Sequence, residues 1–231
     1  MKFSKTKISD VYIIEPSVFG DDRGYFLESF NLDKFEENVC PIKFVQDNES
    51  KSSKGVLRGL HFQKPPFDQA KLVRCIEGNV MDVALDIRKG SPTYGEHVAV
   101  ELSGENKRQL FVPRGFAHGF AVLSESAVFA YKVDNVYSKA HEGGILYNDP
   151  ALGIDWQIDS SEILLSEKDA NLDVTDFDLD NTYFQRFQEE YDMSTKTKTD
   201  EDSELAAYRN LYSVSFPEDF LRTEPAFEKD I

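Results

Sequence analysis

"VMDVALDIR" (residues 80–88) is the stretch that decides the fold class. Met81, Val83, Leu85 and Ile87 alternate with Asp82, Ala84, Asp86 and Arg88, the period-two pattern of a strand with one buried face. Before it, "EGN" (77–79) supplies a turn from "KLVRCI" (71–76); after it, "HVAVELS" (97–103) puts Val98, Val100 and Leu102 on one side. "FAHGFAVLS" (116–124) and "AVFAYKV" (127–133) continue the pattern, punctuated by "PRG" and "SES". These strands recur without a helical pattern between them, which predicts an antiparallel sandwich or barrel over a parallel α/β sheet. "VYIIEP" and "GYFLESF" read as earlier strands. One short helix is expected before residue 170: "NLDKFEENV" (31–39), with Asn31 as cap and Leu32, Phe35 and Val39 on one face.

After about residue 180 the period changes. "NTYFQRFQEEYDM" (181–193) sets Phe184, Phe187 and Tyr191 at helical spacing, and "SELAAYRNLY" (203–212) does so with Leu205, Tyr208 and Leu211 or Tyr212. The polar run "STKTKTDED" links them. The expected organisation is a β domain over 1–180 and an acidic, aromatic-rich extension over 181–231, built of two short helices.

The formal charge of −16 argues against a nucleic-acid duplex or a membrane surface as partner, because phosphate binding needs a basic face. A local arginine cluster can still grip one small anion. Acidity is concentrated late, with 16 acidic and 6 basic residues in 171–231. Cys40 and Cys75 form neither a disulfide framework nor a metal-ligand pattern. "MKFSKTKISD" lacks the apolar core of a signal peptide and no run reaches membrane-spanning length, so a cytoplasmic protein is expected.

Histidine titrates near neutral pH and is the usual base for proton abstraction. Of the four histidines, His97 at a strand entrance and His141 in "SKAHEGG" read as surface residues. His118 shares parity with Phe116, Phe120 and Val122; it is either a satisfied core histidine or part of a pocket. "GVLRGLHFQ" (55–63) carries Arg58 and His61 on an otherwise apolar strand. His61 has opposite parity to Leu60 and Phe62, so it faces solvent if they pack between sheets and a barrel lumen if they pack outward under the N-terminal strands. Strict alternation puts Arg58 and His61 on opposite faces, but Gly59 is where a bulge could bring them to one side. No His-x-His pair exists, which argues against a catalytic metal of the kind held in small β-barrels.

Five blocks, "FGDDRGYFLESF", "FVQDNESKSSKGVLRGLHFQ", "AKLVRCIEGNVMDVALDIRKGSPTYG", "ENKRQLFVPRGFAHGFAVLSE" and "LSEKDA", together resemble the dTDP-4-dehydrorhamnose 3,5-epimerase family, sugar-nucleotide epimerases on a metal-free cupin jelly roll. The likeness runs in order from about residue 5 to residue 172. It implies an all-β antiparallel jelly-roll barrel and inversion of C3 and C5 of dTDP-4-dehydro-6-deoxy-D-glucose, a step toward dTDP-L-rhamnose, without metal or redox cofactor.

By that resemblance His61 is the general base, Asp169 hydrogen-bonds it, Tyr131 is the acid of the opposite face, and Lys71 sits near the C4 oxygen. Arg23 and Arg58 clamp the diphosphate and His118 contacts the sugar. Glu28, Gln46, Asp47, Asn48, Glu142 and Lys168 are further substrate contacts, and Tyr137 stacks on thymine. Gln46 and Asn48, two apart, fall on one strand face, in keeping with that assignment. The chemistry needs such a set: a carbon acid beside a ketone loses its proton only if charge can spread onto the oxygen, and inversion needs a base and an acid on opposite faces. The family also implies a homodimer through exchanged strands. This chain departs from the usual pattern in Phe111 and Tyr147, where tryptophan is common, in the variable "KPPFDQA" beside the site, and in running on to residue 231. The rival readings are a single-carbon epimerase of another nucleotide-linked 4-keto sugar, a non-catalytic sugar-nucleotide binding protein and a metal-dependent cupin.

Overall fold

The alternation at 80–88 becomes strand β8 (Asn79–Asp86), paired antiparallel with β9 (His97–Ser103) on one side and β11 (Phe116–Val122) on the other. Next to β11 lies β6 (Leu57–Gln63), and the short β13 (Glu142–Gly144) completes a sheet in the order β13-β6-β11-β8-β9. The opposing sheet runs, in order, through β1 (Lys2–Lys5), β2 (Tyr12–Glu15), β10 (Gln109–Val112), β7 (Lys71–Glu77), β12 (Ser126–Val133) and β5 (Gln46–Ser53). A separate hairpin joins β3 (Val18–Asp21) to β4 (Gly24–Leu27). This computed structural model describes residues 1–172; the boundary expected at 180, the helices expected over 181–193 and 203–212, and their linker lie outside the described residues.

From β6 to β8 and again from β9 to β12 the chain steps between the sheets, the path of a jelly roll. The turn at 77–79 is such a step rather than a hairpin, since β7 and β8 belong to different sheets. Gly78 makes it possible: its φ is 78° and a Cβ there would lie 2.1 Å from the Ser126 carbonyl oxygen.

Between the sheets packs a core that includes Val73, Val80, Ala84, Val100, Phe120 and Phe129. A second cluster, with Leu57, Leu60, Val83, Leu85, Ile145 and Trp156, fills the outer face of the five-stranded sheet. Both faces of β8 are therefore covered, Val83, Leu85 and Ile87 on the outer side, and the single buried face expected over 80–88 is corrected: Asp82, Asp86 and Arg88, with the parity of Val80 and Ala84, are each fully buried. Their charges survive because they are paired. Asp86 accepts from Arg88 Nε at 2.9 Å and Nη2 at 2.7 Å, and from the hydroxyls of Ser91 and Thr93, both at 2.6 Å.

Helix α1 (Leu32–Asn38) forms as its sequence dictates, with the Asn31 side chain accepting from Lys34 N. Phe35 is its buried anchor, edge-on to Phe111 at 5.1 Å between ring centroids, whereas Leu32 stays 44% exposed. Phe111 thus fills an aromatic core position.

Candidate active site

Leu60 and Phe62 pack outward, under the 145–165 segment rather than the N-terminal strands, so His61 faces the barrel interior. The register explains how Arg58 joins it. His61 pairs with His118 and Arg58 with Phe120, leaving two residues of β6, Gly59 and Leu60, opposite the single Gly119 of β11. That bulge restores common parity, and only glycine fits it: φ at Gly59 is 113°, and a Cβ would lie 2.6 Å from the His118 carbonyl oxygen.

Arg58 and His61 line a cavity of about 530 Å³ at the mouth of the barrel, together with Lys71, His118, Tyr131, Tyr137, Glu142, Lys168 and Asp169. All nine were expected at the site. Inside it, His61 Nε2 lies 2.6 Å from Asp169 Oδ1 as a close charge contact, and both Asp169 Oδ1 and His61 Nδ1 are buried without a hydrogen-bond partner among the described residues. Asp169 is aimed by helix α2 (Glu167–Ala170): the Ser166 hydroxyl donates to Asp169 Oδ2 at 2.7 Å and accepts from Asp169 N at 3.1 Å, a reciprocal cap. Burial lowers the His61 pKa below 6.5, assisted by the charges of Lys168 and Lys71 and opposed by Asp169 and Glu142.

Across the interior, β12 carries Tyr131, whose pKa burial raises while Arg58 pulls it back. Lys71 begins β7; burial brings its ammonium down to about 8, with Asp82 and Glu142 opposing. His118 is both a satisfied core residue and a cavity residue: its Nε2 reaches the two Asp82 oxygens at 3.0 and 2.9 Å. Arg58 Nε and Nη2 each donate to Ser52 Oγ at 3.2 Å. At the rim the Tyr137 hydroxyl donates to Glu142 Oε2 at 2.9 Å, and Lys168 pairs with Glu142 Oε1. Tyr137 is 54% exposed, so it does not cover the core.

Other expected contacts lie elsewhere. Arg23 tips the β3–β4 hairpin, its side chain 89% exposed and paired with Asp21. Glu28 accepts from Lys34 Nζ at 2.6 Å and from Asn31 Nδ2 at 3.1 Å. Gln46 donates to Asn48 at 2.8 Å, the shared face expected of them, but Gln46 lines neither cavity. Asp47 and Asn48 line a separate cavity of about 290 Å³, which Tyr131 also borders. His97 and His141 are half-buried rather than surface residues; His141 is held by the Ser138 hydroxyl at 2.8 Å and packs on Phe67.

Sequence reasoning missed Ser166, Asp82, Ser52 and Gln63. Ser166 had a signal, since "SEKD" is a Ser-x-x-acid capping box. Gln63 lines the cavity and accepts from Ser138 N at 2.9 Å. Asp82 had none, because alternation cannot tell a buried carboxylate from a solvated one.

An antiparallel jelly roll whose interior brings together a histidine–carboxylate pair, a phenol and a lysine defines a cupin-like barrel equipped for acid–base chemistry. The model of the dTDP-4-dehydrorhamnose 3,5-epimerase family matches residues 5–176. A Shigella flexneri dTDP-4-dehydrorhamnose 3,5-epimerase is 59% identical over 172 residues, 74% of this chain and 94% of the relative. The crystal structure of the Elizabethkingia anophelis enzyme of that name is 58% identical with a TM-score of 0.73, covering 75% of this chain and 96% of that one. A Legionella pneumophila dTDP-6-deoxy-D-glucose-3,5-epimerase, solved with dTDP-4-keto-L-rhamnose, is 49% identical with a TM-score of 0.73, covering 79% and 95%. The chain belongs to the dTDP-4-dehydrorhamnose 3,5-epimerase family.

Proposed function

We propose that this protein inverts C3 and C5 of dTDP-4-dehydro-6-deoxy-D-glucose to give dTDP-4-dehydro-L-rhamnose. The observation that carries the reading is that His61 and Tyr131, on opposing sheets, border one cavity. The Legionella relative with its bound keto-sugar nucleotide supports the substrate class.

In the proposed reaction His61 takes the proton from the carbon beside the C4 ketone, and the electron pair moves onto the C4 oxygen. Asp169 fixes the ring through Nε2 and stabilises the imidazolium that forms. The depressed His61 pKa keeps the free ring in its basic form at neutral pH. Lys71 supplies the cation for the enolate oxygen, and its pKa of about 8 leaves it mostly protonated at pH 7. Tyr131, kept as a phenol by burial, returns a proton from the opposite face. His61 then releases its proton to solvent and Tyr131 regains one from solvent, so that repeating the sequence at the second carbon completes the isomerisation with no net gain or loss of atoms.

Arg58 holds the diphosphate, His118 contacts the sugar, Tyr137 stacks on thymine, and Glu142 and Lys168 close the rim. The exposed Phe19, Tyr25 and Phe26, at 66, 59 and 69%, suit burial against a second copy. In a homodimer built through that hairpin, Arg23 and Glu28 would reach the partner's cavity rather than their own. Two buried free thiols fit a reducing cytoplasm.

Incubation with the substrate in deuterated water tests the reading. Deuterium at both C3 and C5 is expected. Label at one carbon would establish a single-carbon epimerase, and no exchange would leave a binding protein.

A further inference from the structure

Arg58 is the only arginine lining the site cavity among the described residues, and its side chain runs out to solvent. A long side chain of this kind samples many rotamers, and a ligand that needs it must first hold it still. Arg58 is already held. Its Nε and Nη2 both donate to Ser52 Oγ, each at 3.2 Å.

The anchor itself is fixed. Ser52 is 8% exposed and sits on β5 opposite Ala127 of β12. The turn from β5 to β6 is tied to the strand ahead of it and to the β11–β12 connection. Lys54 N donates to Glu125 O at 3.0 Å, Gly55 N to Val122 O at 3.1 Å, and Val56 N to Ser53 O at 3.2 Å. Gly55 has a φ of 84°, and a Cβ there would lie 2.1 Å from the Glu162 carbonyl oxygen. The hydroxyl therefore keeps one place relative to the root of the Arg58 side chain.

The chemistry of the anchor matters as much as its position. His61 faces Asp169, His118 faces Asp82 and Lys168 pairs with Glu142, whereas Arg58 has no carboxylate at ion-pair distance among the described residues. A carboxylate would aim the guanidinium equally well but would offset its charge; a hydroxyl aims it and leaves the charge for a ligand. Of the five N–H groups of a guanidinium, those on Nε and Nη2 meet Ser52. Nη1 has no partner among the described residues, so the Nη1–Nη2 edge is left to fork onto phosphate oxygens.

We propose that Ser52 is a positioning residue, which pre-orients Arg58 so that the free edge of its guanidinium meets the diphosphate of the sugar nucleotide. The inference rests on the role given above to Arg58.

The test compares the binding of dTDP with that of thymidine, which lacks the phosphates, by titration calorimetry on the full chain. Ser52→Ala is expected to weaken dTDP about 3- to 10-fold and to leave thymidine unchanged. The KM of the sugar nucleotide rises by the same factor while kcat falls less, and Ser52→Thr, which restores the hydroxyl, recovers most of the loss. In an Arg58→Ala background Ser52→Ala has no further effect on dTDP. Unchanged dTDP affinity, an equal loss for thymidine, or a full loss that persists without Arg58 overturns the proposal.

Should Ser52→Ala fail to fold, Ser52→Cys keeps the bulk and weakens the acceptor. It is expected to weaken dTDP by less than tenfold and thymidine not at all, and wild-type dTDP affinity overturns the proposal. If Arg58→Ala binds dTDP as the wild type does, the diphosphate reading of Arg58 fails and this inference with it. If Arg58→Ala loses dTDP affinity but the Ser52 variants do not, this inference alone fails.

Discussion

Replacing Asp169 by asparagine probes the charge contact made by the proposed base. The carboxylate lies 2.6 Å from His61 Nε2, in a cavity where burial already disfavours the imidazolium. An opposite charge this close raises a histidine pKa by about 1–3 units, worth about 1.4–4 kcal/mol. Without it, the His61 pKa falls further below 6.5. Two consequences follow. The acid limb of kcat/KM moves to lower pH, because the ring stays basic further into acid. The plateau falls about 10- to 1000-fold, because a weaker base abstracts the same carbon-bound proton. Deuterium wash-in at C3 and C5, read by mass spectrometry across pH 4–9, reports both. A variant whose acid limb is unmoved and whose exchange stays within about twofold of wild type would refute the role of Asp169 as the partner of the base.

Tyr131→Phe is expected to retain wash-in at the abstracted position while epimerised product falls by at least about 100-fold; equal loss of both contradicts its role as acid. Ser166→Ala frees the Asp169 carboxylate from its hydroxyl donor and costs about tenfold in kcat with KM little changed, and Ser166→Thr, which keeps the hydroxyl, restores most of it. Gly59→Ala places a Cβ 2.6 Å from the His118 carbonyl oxygen at a positive φ; a loss of about 1–3 kcal/mol in denaturant unfolding is expected, with loss of activity. For Asp86, burial raises the carboxyl, but Arg88, Ser91 and Thr93 outweigh it and hold it below 3.8. Its stabilisation is therefore complete above the unfolded value and lost as pH falls through the lower folded one, so the wild type should lose stability below about pH 4 in urea titrations while Asp86→Asn lacks that component.

The fold was legible where periodicity carried it. The strands at 71–76, 97–103, 116–122 and 127–133 were readable because one or both faces are apolar. The run at 80–88 was read as a strand correctly, but its charged face was assigned to solvent. Arg88 is fully buried against Asp86, Asp10 and the Phe116 ring, and pairing of that kind depends on residues up to 78 positions apart. The turn at 78 was visible, but the switch of sheets was not, since a turn signal says nothing of which sheet follows. At the site, it was the resemblance to the epimerase family that grouped the nine side chains which line one cavity. Strict alternation separated Arg58 from His61, and Gly59 was the one hint of the bulge that unites them. Arg23 could not be placed from sequence, because hairpin exposure is a tertiary property.

The central claim is that an imidazole and a phenol address the two faces of one sugar ring. A crystal structure of the protein with an unreactive dTDP-hexose analogue measures this directly. His61 should lie within reach of the C3 or C5 hydrogen on one face, and the Tyr131 hydroxyl should approach from the other. A pyranose seated with both groups on the same face, or outside the cavity they share, would contradict it.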